Sequence, residues 1–406
     1  MTHKNFLLKD NIKSKHLTAS FSSQLSKKIR KIFVDINNEI KNNNKTLNVL
    51  DSKFQFNFKI KDLDRFKKFQ TIAIIGMGGS VLGAEAIYNF LERKIKKKVY
   101  FFNDLDENKI KNFKDSEKNS SVLFIIISKS GNTIETLSNT FLLKIVKRNA
   151  KNVIVISEKK NNFLYTLSRK LNLFHVEHKK NIGGRYSVLS EVGIIPAYLM
   201  GINIIKLRSN IFNCTKKINQ LFLKNQTLKL ANIMKSKKTN NLIFLNYLPE
   251  LNKFFFWCQQ LIAESLGKNS LGFLPVISNV PKDHHSLLQL YLDGPKDKFF
   301  NIFSFDSKLG EKININYLRN LKSFLHEKKL IKIKIAQKNS LIQSFTKKGI
   351  PFREFKIKKI DEETLGELFS FFIIETVIVG NLLDVNPFDQ PAVEEIKINT
   401  KKILIK

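Results

Sequence analysis

The feature that most constrains this chain is a repeated alternation of short, continuous aliphatic runs with amphipathic stretches. "TIAII" (71–75), "VYFF" (99–102), "VLFIII" (122–127) and "VIVI" (153–156) are apolar at almost every position, and 81–94 and 133–148 between them carry helical periodicity. A strand with one wet face alternates polar and apolar residues. Continuous runs instead mark strands covered on both faces, the pattern of a parallel sheet flanked by helices. The rhythm resumes after a lysine-rich amphipathic span at 211–236: "LIFL" (242–245), a helix over 252–266, "FLPV" (273–276), "FNIFSF" (300–305), a helix near 315–329, "FREFKI" (352–357) and a helix over 361–380. The chain therefore reads as α/β in two units of comparable size. Residues 1–45 form an N-terminal helical segment, with Phe21, Leu25, Ile29, Ile32 and Ile36 near helical spacing. Residues 46–208 form the first α/β domain, and 209–406 the second, which ends in a helical segment.

Composition narrows the function classes. With 406 residues, 43% of them hydrophobic and 35 Phe, the chain has ample material for packed interiors and is not a disordered one. The N-terminal "MTHKNFLLKDNIKSKHLTASFSS" has no continuous apolar core, so no signal peptide is expected. "LFSFFIIETVIVGNLL" contains Glu375 and is preceded by Glu367, which points to a buried amphipathic helix and no membrane association. Cys214 and Cys258 sit in no pairing motif and fit two inert thiols in a reducing cytoplasm. The net charge of +35 suggests a nucleic-acid partner. Its lysines, however, are spread through almost every segment alongside Asn and Ile, residue types that share A/T-rich codons. No aromatic-interleaved basic stripe and no zinc or RNA-binding signature accompanies them, so the expected surface is solvated lysine with no specific nucleic-acid partner.

Six segments carry chemistry. "GMGGSVLG" (76–83) joins a strand to a helix, where glycines admit close backbone approach and the helix start offers free N–H groups. It departs from the dinucleotide fingerprint, because Val81 stands where the third glycine belongs. "SKSGNTIET" (128–136) follows the next-but-one strand with Ser128, Ser130 and Thr133 around Gly131. One hydroxyl suffices for an ordinary helix cap, and Thr133 with Glu135 has nearly that form; the surplus hydroxyls suit a phosphate monoester. "GGRYSVLS" (183–190) presents Arg185 behind paired glycines, toward a cleft or toward a surface carboxylate. In "QQLIAESLGK" (259–268), Glu264 shares a helix face with Trp257 and Leu261. It either points inward or pairs with Lys268 at i,i+4. "DHHSLLQL" (283–290) holds adjacent His284 and His285, which point about 100° apart on a helix and cannot readily share one metal. "HVEH" (175–178) has ligand-like spacing without a third ligand and reads as an exposed polar loop, so no metal site is expected. "NPFDQPAVEEIK" (386–397) is a proline-fixed turn followed by a helix start bearing Lys397.

Together, and in this order, the six segments resemble the glucose-6-phosphate isomerase (phosphoglucose isomerase) family of the sugar-isomerase (SIS) fold. "SKSGNTIET" is shared by sugar-phosphate SIS domains generally, whereas "GGRYSVLS" and the "DQPAVEEIK" ending are specific to the isomerase. The resemblance implies two SIS-type domains and isomerisation of glucose 6-phosphate to fructose 6-phosphate through an enediolate, with no cofactor. It implies that Ser128, Ser130, Thr133 and the Lys129 backbone hold the phosphate, that Gly79 and Ser80 line the sugar, and that Gln390 lines the site. Glu264 would be the base, Arg185 would stabilise the enediolate, and His285 with Lys397 would open the ring. It also implies a homodimer in which the histidine comes from the neighbouring subunit. Ala392 stands where the family usually has Gly, and the chain is shorter than many relatives, so the Lys397 helix and peripheral loops are expected to differ. Alternatives left open are a dual glucose/mannose 6-phosphate isomerase and a non-catalytic sugar-phosphate sensor. The first 45 residues are short for the DNA-binding module of such a sensor.

Overall fold

The computed structural model describes residues 5–211, 217–306, 310–317 and 323–405. Ten strands occur among them: β1 (Phe6–Asp10), β2 (Thr71–Ile75), β3 (Lys98–Phe102), β4 (Val122–Ile127), β5 (Val153–Ser157), β6 (Phe174–Glu177), β7 (Asn241–Asn246), β8 (Leu274–Asn279), β9 (Lys298–Phe305) and β10 (Phe352–Ile357). The first sheet has the order β3-β2-β4-β5-β6 and is parallel throughout. The second has the order β1-β10-β9-β7-β8 and is parallel except for β1, which runs antiparallel along β10. Chain order reverses between β2 and β4 in the first sheet, and between β7 and β9 in the second. Such reversals open a crevice at the carboxyl ends of the strands, where ligands of α/β folds bind.

The continuous aliphatic runs are explained by the packing. Ile72 and Ile74 of β2 belong to a large core that also takes in Leu242 and Phe244 of β7 and Phe303 of β9, while Ala73 and Ile75 face a second core with Phe102, Phe124 and Val155. Both faces of the first sheet's central strands are therefore dry, which is why β2, β4 and β5 are aliphatic at nearly every position. The helix Glu362–Leu382 lies inside the large core and packs on the helices Ala19–Lys41, Ile204–Ser209, Lys217–Lys235 and Asn252–Leu266. Among the described residues it is the one helix long and apolar enough to cross a membrane, and it is buried inside the protein. Its acids are satisfied internally: Arg353 donates to both carboxylate oxygens of Glu375, at 2.5 and 3.0 Å, and the Asn5 amide donates to Glu367 at 2.7 Å.

Three readings of the sequence need correction. The expected helix near 315–329 is not there: residues 313–317 and 323–329 form turns and a bridge between Lys312 and Lys329, and the helix runs over Leu330–Lys348. It packs on the second sheet through Leu341 and Phe345 and stops at Gly349, whose φ of +64° ends the helix in the left-handed region. The N-terminal segment is not purely helical, because β1 precedes its helix and extends the second sheet. "HVEH" is not an exposed loop. His175 lies in β6 and meets the Ser157 hydroxyl at 2.9 Å, while His178 is buried with Nδ1 3.1 Å from the Lys179 carbonyl. Burial pushes both imidazoles down to about 4. Cys258 is free and buried, and burial raises its thiol pKa; Cys214 lies outside the described residues.

Candidate active site

Three loops and one helix meet at the reversal between β2 and β4. The loop after β2 carries Gly79, whose Cα side lies flat on a second backbone. A Cβ there would stand 2.2 Å from the Gly184 carbonyl carbon and 2.6 Å from the Arg185 nitrogen. Glycine is required for this contact, which brings "GMGGS" and "GGRYS" together, and the Ser187 hydroxyl donates to the Gly79 carbonyl at 3.3 Å. Ser80, next to it, is half-buried.

The loop after β4 gathers its hydroxyls. Ser128 Oγ and Thr133 Oγ1 are 2.8 Å apart, Ser130 Oγ lies 3.5 Å from Thr133, and the Gly131 and Asn132 amides donate to the Ser128 and Ser130 hydroxyls at 3.2 and 3.3 Å. Gly131 has a φ of +70°, and the Asn162 amide fills the space a side chain would need. Thr133 occupies the N-cap position of the helix Ile134–Leu142, but its hydroxyl makes no cap bond and is turned toward Ser128. The simple capping reading therefore fails: the hydroxyls form a cradle at the helix start, where N–H groups and the dipole favour an anion. The Lys129 ammonium leaves this cradle and donates to the Lys180 carbonyl at 2.8 Å.

Arg185 is 3% exposed and uses its whole fork. Its Nε donates to Ser265 Oγ at 2.8 Å, Nη1 to Gln390 Oε1 at 2.9 Å and Glu264 Oε2 at 3.2 Å, and Nη2 to the Pro387 and Asp389 carbonyls at 2.7 and 2.9 Å. The surface-pair reading of Arg185 is thereby excluded. Glu264 rides near the end of the helix Asn252–Leu266, one turn after Gln260, whose amide donates to its other oxygen at 2.9 Å. Lys268 does not pair with it; the ammonium goes to Asp389 at 2.8 Å, and that hydrogen bond lowers the Asp389 pKa. Glu264 keeps 30% of its side chain exposed, so the carboxylate is held by two donors and still open to a ligand.

Gly79, Arg185, Glu264 and Gln390 thus converge, with Gln260, Ser265, Tyr186 and the Pro387 carbonyl as partners that sequence reasoning did not single out. Gln260 had a signal, the i−4 spacing to Glu264; main-chain carbonyls have none. Two expected members stand apart. His285 is exposed just after the turn Lys282–His284 that follows β8, while its neighbour His284 faces Tyr247 Oη at 2.8 Å. Lys397 lies on the helix Glu394–Ile405, which buries no residue, and its ammonium pairs with Glu394 at 2.7 Å. Neither forms a hydrogen bond or ion pair with Arg185 or Glu264 among the described residues. Ala392 sits in the short turn Pro391–Val393 that leads into that exposed helix.

Comparison with known proteins decides the lineage. A sequence profile described as phosphoglucose isomerase matches residues 21–273, more than half of the chain. The chain belongs to the phosphoglucose isomerase family. The matched span contains the β2 loop, the hydroxyl cradle, Arg185 and Glu264; His285, Gln390 and Lys397 lie beyond it. The probable glucose-6-phosphate isomerase of Methanococcus maripaludis is 34% identical over 83% of this chain and 79% of its own length. The glucose-6-phosphate isomerase of Methanocaldococcus jannaschii is 32% identical over 83% and 86%. Among solved structures, a hypothetical protein from Thermus thermophilus superposes with a TM-score of 0.83 at 22% identity, covering 98% of this chain and 100% of that one. The glucose-6-phosphate isomerase of Chlamydia trachomatis gives 0.79 at 16% identity, covering 99% and 89%. At those identities the superpositions speak for the fold, two parallel sheets flanked by helices.

Proposed function

We propose that the hydroxyl cradle and the Arg185–Glu264 pair divide one reaction between them, one holding the substrate and the other changing it. The reaction is the reversible aldose–ketose isomerisation of glucose 6-phosphate and fructose 6-phosphate, an isomerase step of glycolysis and gluconeogenesis. Ser128, Ser130 and Thr133, with the Lys129 main chain and the N–H groups of the following helical turn, hold the phosphate, whose terminal oxygens take many donors. Gly79, Ser80 and Gln390 line the sugar.

Isomerisation moves one proton between two carbons and one between two oxygens. The Glu264 carboxylate takes it from C2 of the opened aldose, the released electron pair forms the C1–C2 double bond, and the former carbonyl oxygen O1 gains a proton. Returning the carbon-bound proton to C1 while O2 gives up its hydroxyl proton, in balance with the one O1 gained, makes O2 the carbonyl and gives the ketose. Oxidation at C2 balances reduction at C1, so no outside electron acceptor enters. Arg185 supplies fixed positive charge where the enediolate oxygens develop, without moving to do so. The observation that carries this reading is the partly exposed Glu264, held 3.2 Å from a buried guanidinium that four other acceptors keep in place.

His285 and Lys397 serve ring opening, and a second copy of the chain supplies the histidine, making the protein a cytoplasmic homodimer with shared sites. Two features support this. His285 makes no hydrogen bond or ion pair with Glu264 within one chain, and the terminal helix leaves Ile396, Ile398, Ile403, Leu404 and Ile405 exposed. The test is a coupled assay for fructose 6-phosphate isomerisation with purified protein. Turnover supports the reading, and saturable sugar-phosphate binding without turnover overturns it.

A further inference from the structure

Lys129 sits between two cradle serines, yet its side chain does not join them. The ammonium crosses to the Lys180 carbonyl at 2.8 Å and lies 3.9 Å from Glu158, whose other oxygen is held by Lys160 at 2.5 Å. The Lys129 side chain is 31% exposed and that of Glu158 9%, while the bond to the Lys180 carbonyl lies at the exposed surface. Burial lowers the Lys129 pKa, as expected for an ammonium taken mostly out of water. Lys180 belongs to the turn closed by the Ile182 amide on the Lys179 carbonyl, and that turn runs directly into Gly183, Gly184 and Arg185. The far side of the turn is tied independently, by Thr46 to the Asn181 carbonyl at 2.6 Å and by Asn181 to the Lys45 carbonyl at 2.8 Å. Among the described residues, the Lys129–Lys180 bond is the one hydrogen bond that joins 128–133 to 179–185.

We infer that Lys129 is a positioning residue: its side chain couples the phosphate cradle to the backbone that presents Arg185, so that a seated phosphate and the already fixed guanidinium keep the spacing that the reacting carbons need. The inference rests on the proposed roles of the cradle and of Arg185. Its physical content is geometric. Gly184 lies against Gly79 with no room for a Cβ on the Gly79 side, so the backbone before Arg185 has little freedom except along the turn that Lys129 holds. Misplacing a charge-stabilising group by about 1 Å costs on the order of 100-fold in rate.

The test uses Lys129→Met, which keeps the stem and removes the donors, and Lys129→Arg, which restores a donor. The inference predicts that kcat of Lys129→Met for glucose 6-phosphate falls about 10- to 100-fold while KM stays within about 3-fold, and that Lys129→Arg recovers most of the loss. A raised KM at unchanged kcat would make the ammonium a phosphate ligand and overturn the inference; unchanged kcat and KM would overturn it too. Amide hydrogen exchange with inorganic phosphate as the probe gives a second readout that needs no turnover. Phosphate is expected to slow exchange at 180–186 as well as at 128–133 in the wild type and in Lys129→Arg, but only at 128–133 in Lys129→Met. Protection at 180–186 that survives in Lys129→Met, or never appears in the wild type, sinks the coupling. A wild type without isomerase turnover counts against the proposed function, and exchange then decides the coupling by itself.

Discussion

Glu264 Oε2 accepts a hydrogen bond from Arg185 Nη1 at 3.2 Å, and the two residues, 79 positions apart, come from the turn Gly184–Leu189 and the helix Asn252–Leu266. The guanidinium is buried and saturated by five acceptors, while the carboxylate is partly exposed and held on its other side by Gln260. One partner is fixed and the other is accessible, which is the division of labour that proton transfer next to a developing oxyanion requires.

Removing cradle hydroxyls should weaken binding rather than chemistry, because the phosphate is the same in substrate and transition state. For Ser128→Ala and Thr133→Val, KM for glucose 6-phosphate is expected to rise about 10- to 100-fold each, the worth of one hydrogen bond to a charged group. Steady-state kinetics with kcat within a few-fold of wild type fits this. A large fall in kcat at constant KM contradicts it.

The backbone contact at Gly79 makes a paired prediction. Gly79→Ala forces a methyl into the Gly184 carbonyl, so it should cost about 1–3 kcal/mol of stability and displace Arg185, with most activity lost. Gly184→Ala faces Gly79 Cα at 3.8 Å, an ordinary contact, and should be tolerated. Urea denaturation and the isomerase assay on both variants check the asymmetry; equal damage from the two would refute the contact.

His178 makes stability depend on pH. Burial holds its folded pKa at about 4 against an ordinary value of 6.5, so the unfolded chain binds a proton that the folded protein refuses. The contribution is complete above pH 6.5 and is lost as pH falls toward 4, about 3 kcal/mol in all. Denaturation midpoints of His178→Gln should therefore fall less steeply between pH 7 and 4 than those of the wild type. Parallel curves would show that the buried imidazole is not the proton-linked group.

Shared sites can be tested by mixing two dead variants. Glu264→Gln and His285→Gln are each expected to be inactive. Co-refolded hybrids would hold one site with both native residues, restoring about one quarter of wild-type activity after random assortment. Hybrids that form, as shown by differential tagging, but stay inactive would place the histidine and the base in one chain.

Much of the fold is legible because strands such as β2, β4, β5 and β7 sit between dry faces and read as nearly unbroken apolar runs. β1 and β6 escaped this reading. "FLLKD" is a short antiparallel edge strand, and "FHVE" is a four-residue edge strand with polar side chains at two of its positions. The helix Leu330–Lys348 was misplaced because it opens with "LIKIKI", a period-two pattern, and only its Leu341–Phe345 part packs on the sheet in helical register. At the site, motif order named the residues, but local spacing left Glu264 undecided between the interior and Lys268. Asp389, distant in sequence, settled that choice by taking the lysine. The Pro387 and Asp389 carbonyls that fix Arg185 leave no trace in residue types, since any sequence offers a carbonyl at every position.

The most direct measurement is exchange of the C2 proton of glucose 6-phosphate with deuterated solvent, followed by NMR for the wild type and Glu264→Gln. Glu264 as the base predicts that exchange and isomerisation fall together by about 100- to 10,000-fold in the variant, while binding of the sugar phosphate stays within a few-fold of wild type. Wild-type exchange rates in Glu264→Gln would contradict it.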